Sequence, residues 1–296
     1  FYKLYLSPKT PFGGYSRAFE DSEFIIVGVP YDLTSTYRAG SRFAPAAIRE
    51  ASLNIESYSW RAGVDADELP IGDLEDLDIV ADFGETVQRL SKIVSEVLGE
   101  GKRIALLGGE HSIAYAPLKS LPSGTAAVVA DAHLDARDEY LGSKWSHATF
   151  MRRLLEEEVA EKVVFVGVRA VSKEELDFVK NNRVCELIDA LSILRGRASL
   201  IDEVSRITRG FSKVYLSIDL DVFDPSYAPG VANPEPEGLS PTHIIDLIHA
   251  IGSRLIGVDV VECAPSFDNG VTSILAAKLV YEAACAALSP SSSEES

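Results

Sequence analysis

Three side chains of the types that bind metal ions stand at alternate positions after an apolar run of the sequence. They are Asp131, His133 and Asp135, and the run before them is Ala126–Ala130. In an extended chain, residues two positions apart point to the same side. The spacing therefore predicts that the three side chains face one point, where their oxygen and nitrogen atoms can bind a cation.

Two further apolar runs lead into side chains of the same kind. One ends in Asp219 and Asp221, and the other leads through Gly108 and Gly109, which predict a tight turn, to His111 at the start of the next helix. In open α/β sheets, ligands bind beyond the carboxyl ends of the strands. We therefore expect all of these side chains to lie together at one edge of a sheet.

Four carboxylates and two imidazoles cannot share a partly dry cleft as bare charges, because burial and mutual repulsion disfavour the ionised carboxylates. Two divalent cations balance four carboxylates. The donor atoms are oxygen and nitrogen without thiolate, which favours Mn²⁺ and leaves Zn²⁺, Co²⁺ and Fe²⁺ open. The sequence thus predicts a dinuclear site that holds two divalent cations per chain.

Short apolar runs alternate with helical patterns along the whole chain, which predicts an α/β fold with a mainly parallel sheet between two layers of helices. The predicted strands are Phe24–Val29, Arg103–Leu107, Ala126–Ala130, Val163–Val168, Val184–Ile188, Val214–Ile218 and Leu255–Val261. The predicted helices are Ala44–Leu53, Glu85–Leu98, Lys173–Asn181, Leu200–Thr208, Thr242–Ile251 and Ser273–Leu288.

Composition excludes several classes of protein. The 296 residues include 28 Lys+Arg and 45 Asp+Glu, and the net charge of −17 argues against nucleic acid or an anionic membrane as the partner. No Pro/Gly/Ser-rich linker divides the chain, so we predict one domain over residues 1–288 and a disordered tail at 289–296. The three cysteines form no close pair, which predicts a reducing, cytoplasmic location.

The sequence resembles the ureohydrolases, the arginase and agmatinase family, and is most similar to agmatinases. The motifs are Gly-Val-Pro-Tyr-Asp at 28–32, Arg-Ala-Gly-Ser-Arg-Phe-Ala-Pro at 38–45, Gly-Gly-Glu-His-Ser at 108–112, Asp-Ala-His-Leu-Asp at 131–135, Ser-Ile-Asp-Leu-Asp-Val-Phe-Asp-Pro at 217–225, Ala-Pro-Gly-Val at 228–231 and Val-Glu-Cys-Ala-Pro-Ser-Phe-Asp at 261–268. The resemblance extends over about residues 24–285. It implies a three-layer α/β/α sandwich in which two Mn²⁺ ions activate water for attack on a guanidinium carbon.

By motif position, the resemblance implies that six side chains bind the two ions. His111 and Asp135 would bind one ion, His133 and Asp221 the other, and Asp131 and Asp219 would bridge the two. The products of such a site are urea and an amine.

Two further positions match residues that the family places beside the metal ions. His147 has an intrinsic pKa near neutrality, which suits proton delivery to the leaving amine. Glu262 follows an apolar run and matches the glutamate that binds the guanidinium, whose paired N–H donors suit a carboxylate. Without the resemblance, His147 would be taken for a surface histidine and Glu262 for a capping or salt-bridged residue.

The choice of substrate depends on residues 137–153, which are more similar to agmatinases than to arginases. We predict that Asp138 and Glu139 lie at the mouth of the site, where they favour a substrate with a second cationic end. Arg137 has two open interpretations, since it can pair with Glu139 or bind a substrate carboxylate, as in guanidinobutyrate.

We therefore predict a metal-dependent hydrolase that converts agmatine to putrescine and urea, a reaction of polyamine biosynthesis. Aminopropylagmatine, guanidinobutyrate and arginine are the alternative substrates. A mononuclear zinc amide hydrolase of the deacetylase type and a non-catalytic binding protein are less favoured. The predicted partner is a small cationic guanidino compound, with neither nucleic acid nor membrane, and the resemblance implies a homo-oligomer, either a trimer or a hexamer.

Overall fold

A nine-stranded sheet forms the centre of the molecule, of which a computed structural model describes residues 5–7 and 9–289. The strands of the chain are β1 Leu6–Ser7, β2 Phe24–Gly28, β3 Tyr58–Ser59, β4 Val64–Asp65, β5 Ile71–Leu77, β6 Arg103–Leu107, β7 Thr125–Ala130, β8 Val163–Val168, β9 Cys185–Asp189, β10 Lys213–Asp219 and β11 Leu255–Val261. The order in the large sheet is β1-β5-β2-β6-β11-β10-β7-β8-β9, and every pairing is parallel except that of β1 with β5. β3 and β4 form a separate antiparallel pair.

Helices cover both faces of this sheet. Their bounds are α1 Ala44–Ser52, α2 Phe83–Gly99, α3 Tyr115–Lys119, α4 Phe150–Glu156, α5 Lys173–Lys180, α6 Ala190–Leu194, α7 Leu200–Ile207, α8 Pro241–Ile251 and α9 Val271–Leu288. Local sequence explains where several of them begin. Ser240 is the N-cap of α8 and is followed by proline, whose missing N–H costs nothing in the first helical turn.

Alternate residues of the strands pack against different layers. Val128 and Ala130 of β7 belong to the hydrophobic cluster completed by α1 and α6–α9, whereas Ala127 and Val129 belong to the cluster completed by α2–α5. Side chains of a strand point alternately to its two faces, so both faces are buried. The predicted α/β/α sandwich with a mainly parallel sheet is confirmed.

Every predicted strand and helix is present, with ends that differ by at most two residues, but β5 was not predicted, and neither were the two-residue strands β1, β3 and β4. Its residues include three acids, and Asp73 and Asp76 are buried. Arg49 of α1 donates from Nε and Nη2 to Asp73 at 2.7 and 2.9 Å, and from Nη1 to Asp76. Because the compensating cation lies 24 residues earlier in the chain, the local pattern of β5 does not look like a buried strand. The short helices α3, α4 and α6 were also missed.

The last helix, α9, is long and apolar enough to cross a membrane, and is the one such helix in the described part of the chain. However, 78% of it is buried inside the protein, where it packs against α1, α8 and β11. It is therefore the core helix of one layer. The predicted tail begins at Ser289, which hydrogen-bonds back to Cys285, and residues 290–296 lie outside the described residues.

Candidate metal centre and active site

Four neighbouring strands in the middle of the sheet, β6, β11, β10 and β7, lead at their carboxyl ends into the predicted site residues. Asp219 is the last residue of β10, and Asp131 and Glu262 directly follow β7 and β11. His111 follows β6 after a short loop. The topology therefore brings residues that are up to 151 positions apart to one edge of the sheet, as predicted.

The two glycines before His111 are required for close packing rather than for a left-handed turn, since neither has a positive φ. A Cβ on Gly109 would lie 1.8 Å from the carbonyl oxygen of Tyr31, and one on Gly108 would lie 2.4 Å from Cγ1 of Val261. The loop after β6 thus lies directly against β11 and the loop after β2. This contact seats His111 between them.

Three carboxylates converge on a single nitrogen of His111. Its Nδ1 lies 3.0 Å from Asp131 Oδ2, 3.0 Å from Asp135 Oδ2 and 3.4 Å from Asp219 Oδ2. One ring nitrogen carries at most one proton, and Nδ1 is buried without a hydrogen bond of good geometry. Several anionic oxygens and one imidazole nitrogen that converge in this way form the arrangement that ligands adopt around a cation.

A second group of ligands surrounds His133. Its Nδ1 lies 2.9 Å from Asp221 Oδ2 and 3.6 Å from Asp131 Oδ1. Asp131 therefore faces the two histidines with different oxygens. The two groups that could each hold an ion, His111 with Asp131 and Asp219 and His133 with Asp131 and Asp221, share this one carboxylate.

The charges of this cluster call for cations. Burial raises the pKa of Asp219 well above its ordinary value, and the charges of Asp221 and Asp131 raise it further. Burial, followed by the charge of Asp131, raises the pKa of Asp135 to about 7. Gathering these carboxylates in a buried site is therefore unfavourable without cations, and a pair of divalent ions removes the repulsion. The residues present fit a dinuclear metal site.

The segment that carries the first three ligands is bent, contrary to the extended conformation that we expected. Asp135 has a φ of 50°, in the left-handed region. The His133 backbone N–H donates to Asp131 Oδ1 at 2.6 Å, and that of Ala132 donates to Asp221 Oδ1 at 3.0 Å. Backbone donors thus orient the carboxylates, and the loop brings the three side chains together by turning.

Glu262 has one oxygen with a partner and one without. Oε1 accepts the backbone N–H of His111 at 2.7 Å, while Oε2 is buried and has no hydrogen-bond partner among the described residues. Glu262 also adopts the left-handed backbone, with a φ of 63°. Burial, followed by the charge of Glu110, raises the pKa of its carboxyl group. Glu262 thus combines a left-handed backbone with a buried oxygen that has no partner among the described residues.

His147 is buried beside the metal ligands rather than exposed on a surface loop. Burial, followed by the charge of His133, lowers its pKa to about 4, so the ring is neutral near neutral pH. Its Nδ1 lies 3.2 Å from the hydroxyl of Thr34. Thr34 was not singled out from the sequence, because a threonine 113 residues away in the chain carries no local signal.

A cavity of about 150 Å³ opens from the metal ligands towards solvent. Its lining consists of His133, Asp135, Arg137, Tyr140, His147, Ala148, Ala170, Glu175, Asn233 and Glu235. Acidic and basic side chains thus both line it. The acidic ones, Glu175 and Glu235, were missed; the local sequence of Glu175 is the Ser-x-x-Glu pattern of a helix start, which indicates only a capping role.

The structure does not bring Asp138 and Glu139 into this lining. Asp138 accepts a hydrogen bond from Nη2 of Arg153 at 2.7 Å, and Glu139 is exposed. Arg137 pairs with neither, since its Nε lies 3.5 Å from Oε2 of Glu175. The charged groups that a substrate would meet beyond the ligands are therefore Arg137, Glu175 and Glu235.

Comparison with known proteins assigns the family. A model described as the arginase family matches residues 22–286 of the chain. The chain belongs to the arginase family. Enzymes of this family are hydrolases with a dinuclear metal site, in agreement with the two clusters at the sheet edge. The predicted membership is confirmed.

The relatives of this arginase-family chain are named for more than one substrate. It is 36% identical over 266 residues to an agmatinase of Pyrococcus horikoshii, covering 88% of this chain and 91% of the relative. It is 35% identical to an N(1)-aminopropylagmatine ureohydrolase of Thermococcus kodakarensis, covering 88% and 90%. The crystal structure of agmatine ureohydrolase of Thermoplasma volcanium superposes with a TM-score of 0.88 at 34% identity, covering 95% of each chain.

Proposed function

We propose that this chain hydrolyses agmatine to putrescine and urea at a site that holds two Mn²⁺ ions. The observation that carries the proposal is the pair of ligand clusters joined by Asp131, next to a cavity that reaches solvent. His111 and Asp135 would hold one ion, and His133 and Asp221 would hold the other. Asp131, which belongs to both groups, would contribute to both ions, and we assign the same role to Asp219 of the His111 group. When bound, the ions lower the pKa of water, so that hydroxide is available near neutral pH.

Glu262 orients the substrate. Its free Oε2 accepts N–H bonds from the guanidinium, whose planar array of donors matches a carboxylate. Because Oε1 is tied to the backbone of His111, the carboxylate has a fixed orientation relative to that ligand. The guanidinium carbon would thereby be held facing the cluster.

His147 moves protons during the reaction. The water oxygen forms a bond to the guanidinium carbon, the bond from that carbon to the alkylated nitrogen breaks, and both water protons end on the leaving nitrogen. A ring that is neutral before the reaction accepts a proton and passes it to the leaving nitrogen. His147 lies at the cavity wall, within reach of a substrate there.

The outer cavity supports a substrate with a cationic tail. Glu235 and Glu175 line it, and the positive charge of Arg137 is partly balanced by Glu175. An ammonium group at the end of agmatine, or of the longer aminopropylagmatine, finds a carboxylate in this part of the cavity. The similarity to the agmatinase and the aminopropylagmatine ureohydrolase supports this class of substrate.

A guanidino acid is the second candidate, and Arg137 is the observation that favours it. Its side chain is 40% exposed and lines the cavity, and its nearest contact with Glu175 is the 3.5 Å between Nε and Oε2. A carboxylate such as that of guanidinobutyrate would bind there as a charge-assisted pair. Arginine combines this group with an α-amine and is the third candidate.

A panel of substrates decides among these compounds. Urea release by the manganese-loaded protein is measured with agmatine, aminopropylagmatine, guanidinobutyrate and arginine, and kcat/KM is compared. We expect agmatine to give the highest value. A higher value for guanidinobutyrate would transfer the assignment to the second candidate, and no urea from any compound would refute the reaction.

Two further properties belong to the same proposal. The three free cysteines agree with a reducing, cytoplasmic location. A homo-oligomer, trimeric or hexameric, remains the predicted assembly, and light scattering during gel filtration measures it directly. A monomer would contradict that prediction.

A further inference from the structure

Thr34, in the loop after β2, connects His147 with a buried carboxylate. Its Oγ1 lies 2.6 Å from Glu110 Oε1, 3.2 Å from His147 Nδ1 and 3.0 Å from the backbone nitrogen of His147. The backbone N–H of Thr34 donates to Glu110 Oε2 at 2.6 Å. Both carboxylate oxygens of a fully buried glutamate are thus tied to the residue that contacts the histidine ring.

The hydrogen of the Thr34 hydroxyl points to Glu110. A hydroxyl has one hydrogen and two lone pairs, and the backbone N–H of His147 takes one of the lone pairs. Glu110 accepts the backbone N–H of Thr34 at Oε2, and its Oε1 receives the hydroxyl of Ser112 at 2.5 Å as well as that of Thr34. The distance from Thr34 Oγ1 to Glu110 Oε1, 2.6 Å, is also shorter than the distance from Thr34 Oγ1 to His147 Nδ1, 3.2 Å.

The second lone pair of Thr34 Oγ1 then faces His147 Nδ1, and only an N–H fills that position. We infer that Thr34 is a positioning residue that holds His147 as the Nδ1–H tautomer, with Nε2 as the nitrogen that accepts and releases protons. Within the described residues Nε2 has no hydrogen-bond partner, and the ring lines the cavity. This inference rests on the proposed proton transfer by His147, because it states which ring nitrogen performs it.

The tautomer matters for the reaction. When Nε2 carries no hydrogen, the ring takes up one proton at Nε2 and gives the same proton from Nε2 to the leaving nitrogen. The Nδ1–H remains hydrogen-bonded to the Thr34 hydroxyl throughout. The opposite tautomer would present an N–H to the cavity and would accept no proton there. The Thr34 hydroxyl, which donates its hydrogen to Glu110, thus determines whether His147 can act as a base at the beginning of the reaction.

The tautomer can be measured without any substrate. The protein is labelled with ¹⁵N-histidine and loaded with Zn²⁺, which does not broaden the signals, and a long-range ¹H–¹⁵N spectrum is recorded near neutral pH. The chain has five histidines, and the spectrum of His147→Asn identifies the signals of His147 by difference. We expect the pattern of a ring protonated at Nδ1. A ring protonated at Nε2 overturns the inference.

Matched variants test the role of the hydroxyl in turnover. Thr34→Val keeps the shape and removes the hydroxyl, Thr34→Ser keeps the hydroxyl, and Thr36→Val makes the first exchange at an exposed position of the same loop. We expect Thr34→Val to lower kcat for urea release by about ten- to a hundredfold, a part of what general acid–base catalysis contributes. KM and manganese content stay at the wild-type level, and the other two variants keep the wild-type kcat.

The outcomes separate this inference from the proposed function. Wild-type kcat in Thr34→Val, with unchanged His147 signals, overturns the positioning role. If Thr34→Val does not fold, the wild-type spectrum still decides the tautomer. If no guanidino compound yields urea, the proposed function fails while the spectrum still shows which nitrogen of His147 carries the proton.

Discussion

Glu262 accepts the backbone N–H of His111 at 2.7 Å with one carboxylate oxygen and leaves the other buried without a partner among the described residues. A bare buried carboxylate oxygen destabilises the protein until a donor reaches it. A guanidinium supplies such donors. The strand order that sets β11 beside β6 therefore also fixes where a guanidinium would bind relative to His111.

Removing the charge of Glu262 is expected to weaken substrate binding. Glu262→Gln keeps an oxygen for the His111 N–H but loses a charge-assisted hydrogen bond worth about 1.5–3 kcal/mol, so kcat/KM falls by about ten- to a hundredfold. Manganese content is expected to stay unchanged. The control is Glu237→Gln, at an exposed position. An unaltered kcat/KM in Glu262→Gln would remove Glu262 from substrate recognition.

Asp131 is expected to be essential for both ions, because its two oxygens face different histidines. Asp131→Asn should lower the manganese content, measured by elemental analysis, and abolish urea release. Asp177→Asn changes an exposed aspartate of α5 in the same way and should leave both quantities at the wild-type level. Two manganese ions per chain in Asp131→Asn would contradict the bridging role.

The charge of Arg137 is expected to influence the choice of substrate. Arg137→Gln removes a cation from the outer cavity, so KM for agmatine should fall and KM for guanidinobutyrate should rise. The two compounds measured on the same preparation serve as controls for each other. Equal changes in both KM values would mean that Arg137 acts on the fold, through its pairing with Glu175, and not on the tail of the substrate.

The buried ion cluster around β5 is expected to be important for stability. Arg49→Met removes the buried cation from Asp73 and Asp76 and leaves Asp76 only the exposed Lys9 at 3.9 Å, and breaking a buried pair costs about 3–5 kcal/mol of unfolding free energy. Arg61→Met breaks the exposed pair with Asp246, which is worth less than about 1 kcal/mol. Denaturant unfolding compares the two variants. Equal losses of unfolding free energy in the two variants would show that the buried cluster contributes no more to stability than an exposed ion pair.

Glu282 is expected to make the fold sensitive to acid. Burial alone would raise its pKa, but His249, Ser59 and Lys278 outweigh burial and lower the pKa to about 2. A carboxyl whose folded pKa lies below its ordinary value of about 4.3 contributes stability above that pH, and the contribution is lost as the pH falls towards about 2. Glu282→Gln should therefore destabilise the protein near neutral pH and have little effect near pH 2. Melting curves at both pH values test this, and a pH-independent difference would contradict it.

The ligand cluster was predictable because each ligand lies next to an apolar strand in the sequence, and parallel strands place such residues at one edge. This rule alone predicts the positions of Asp219 and Asp131. The outer cavity was not predictable in the same way. Asp138 was expected at its mouth, but its carboxylate pairs with Arg153, an interaction between a loop and a helix that spacing along the chain does not reveal.

Long-range polar contacts were the main source of error. Thr34 and Glu110 are 76 residues apart, and Arg49 and Asp76 are 27 residues apart. In neither pair does the sequence around one residue indicate that the other is its partner. The three acids of β5 are not typical of a buried strand, and Arg49, which compensates two of them, lies in α1. Hydrophobic periodicity predicts the layers, whereas paired charges inside the layers depend on the finished packing.

The strand order has a consequence for how the protein is made. β10 and β11 fill the middle of the sheet between β6 and β7, although they are the last two strands to leave the ribosome. The first two-thirds of the chain can therefore form the two flanks but cannot join them. A nascent chain that stops before residue 213 has a gap where the hydrolytic centre belongs, and assembly of that centre must wait until synthesis is nearly complete.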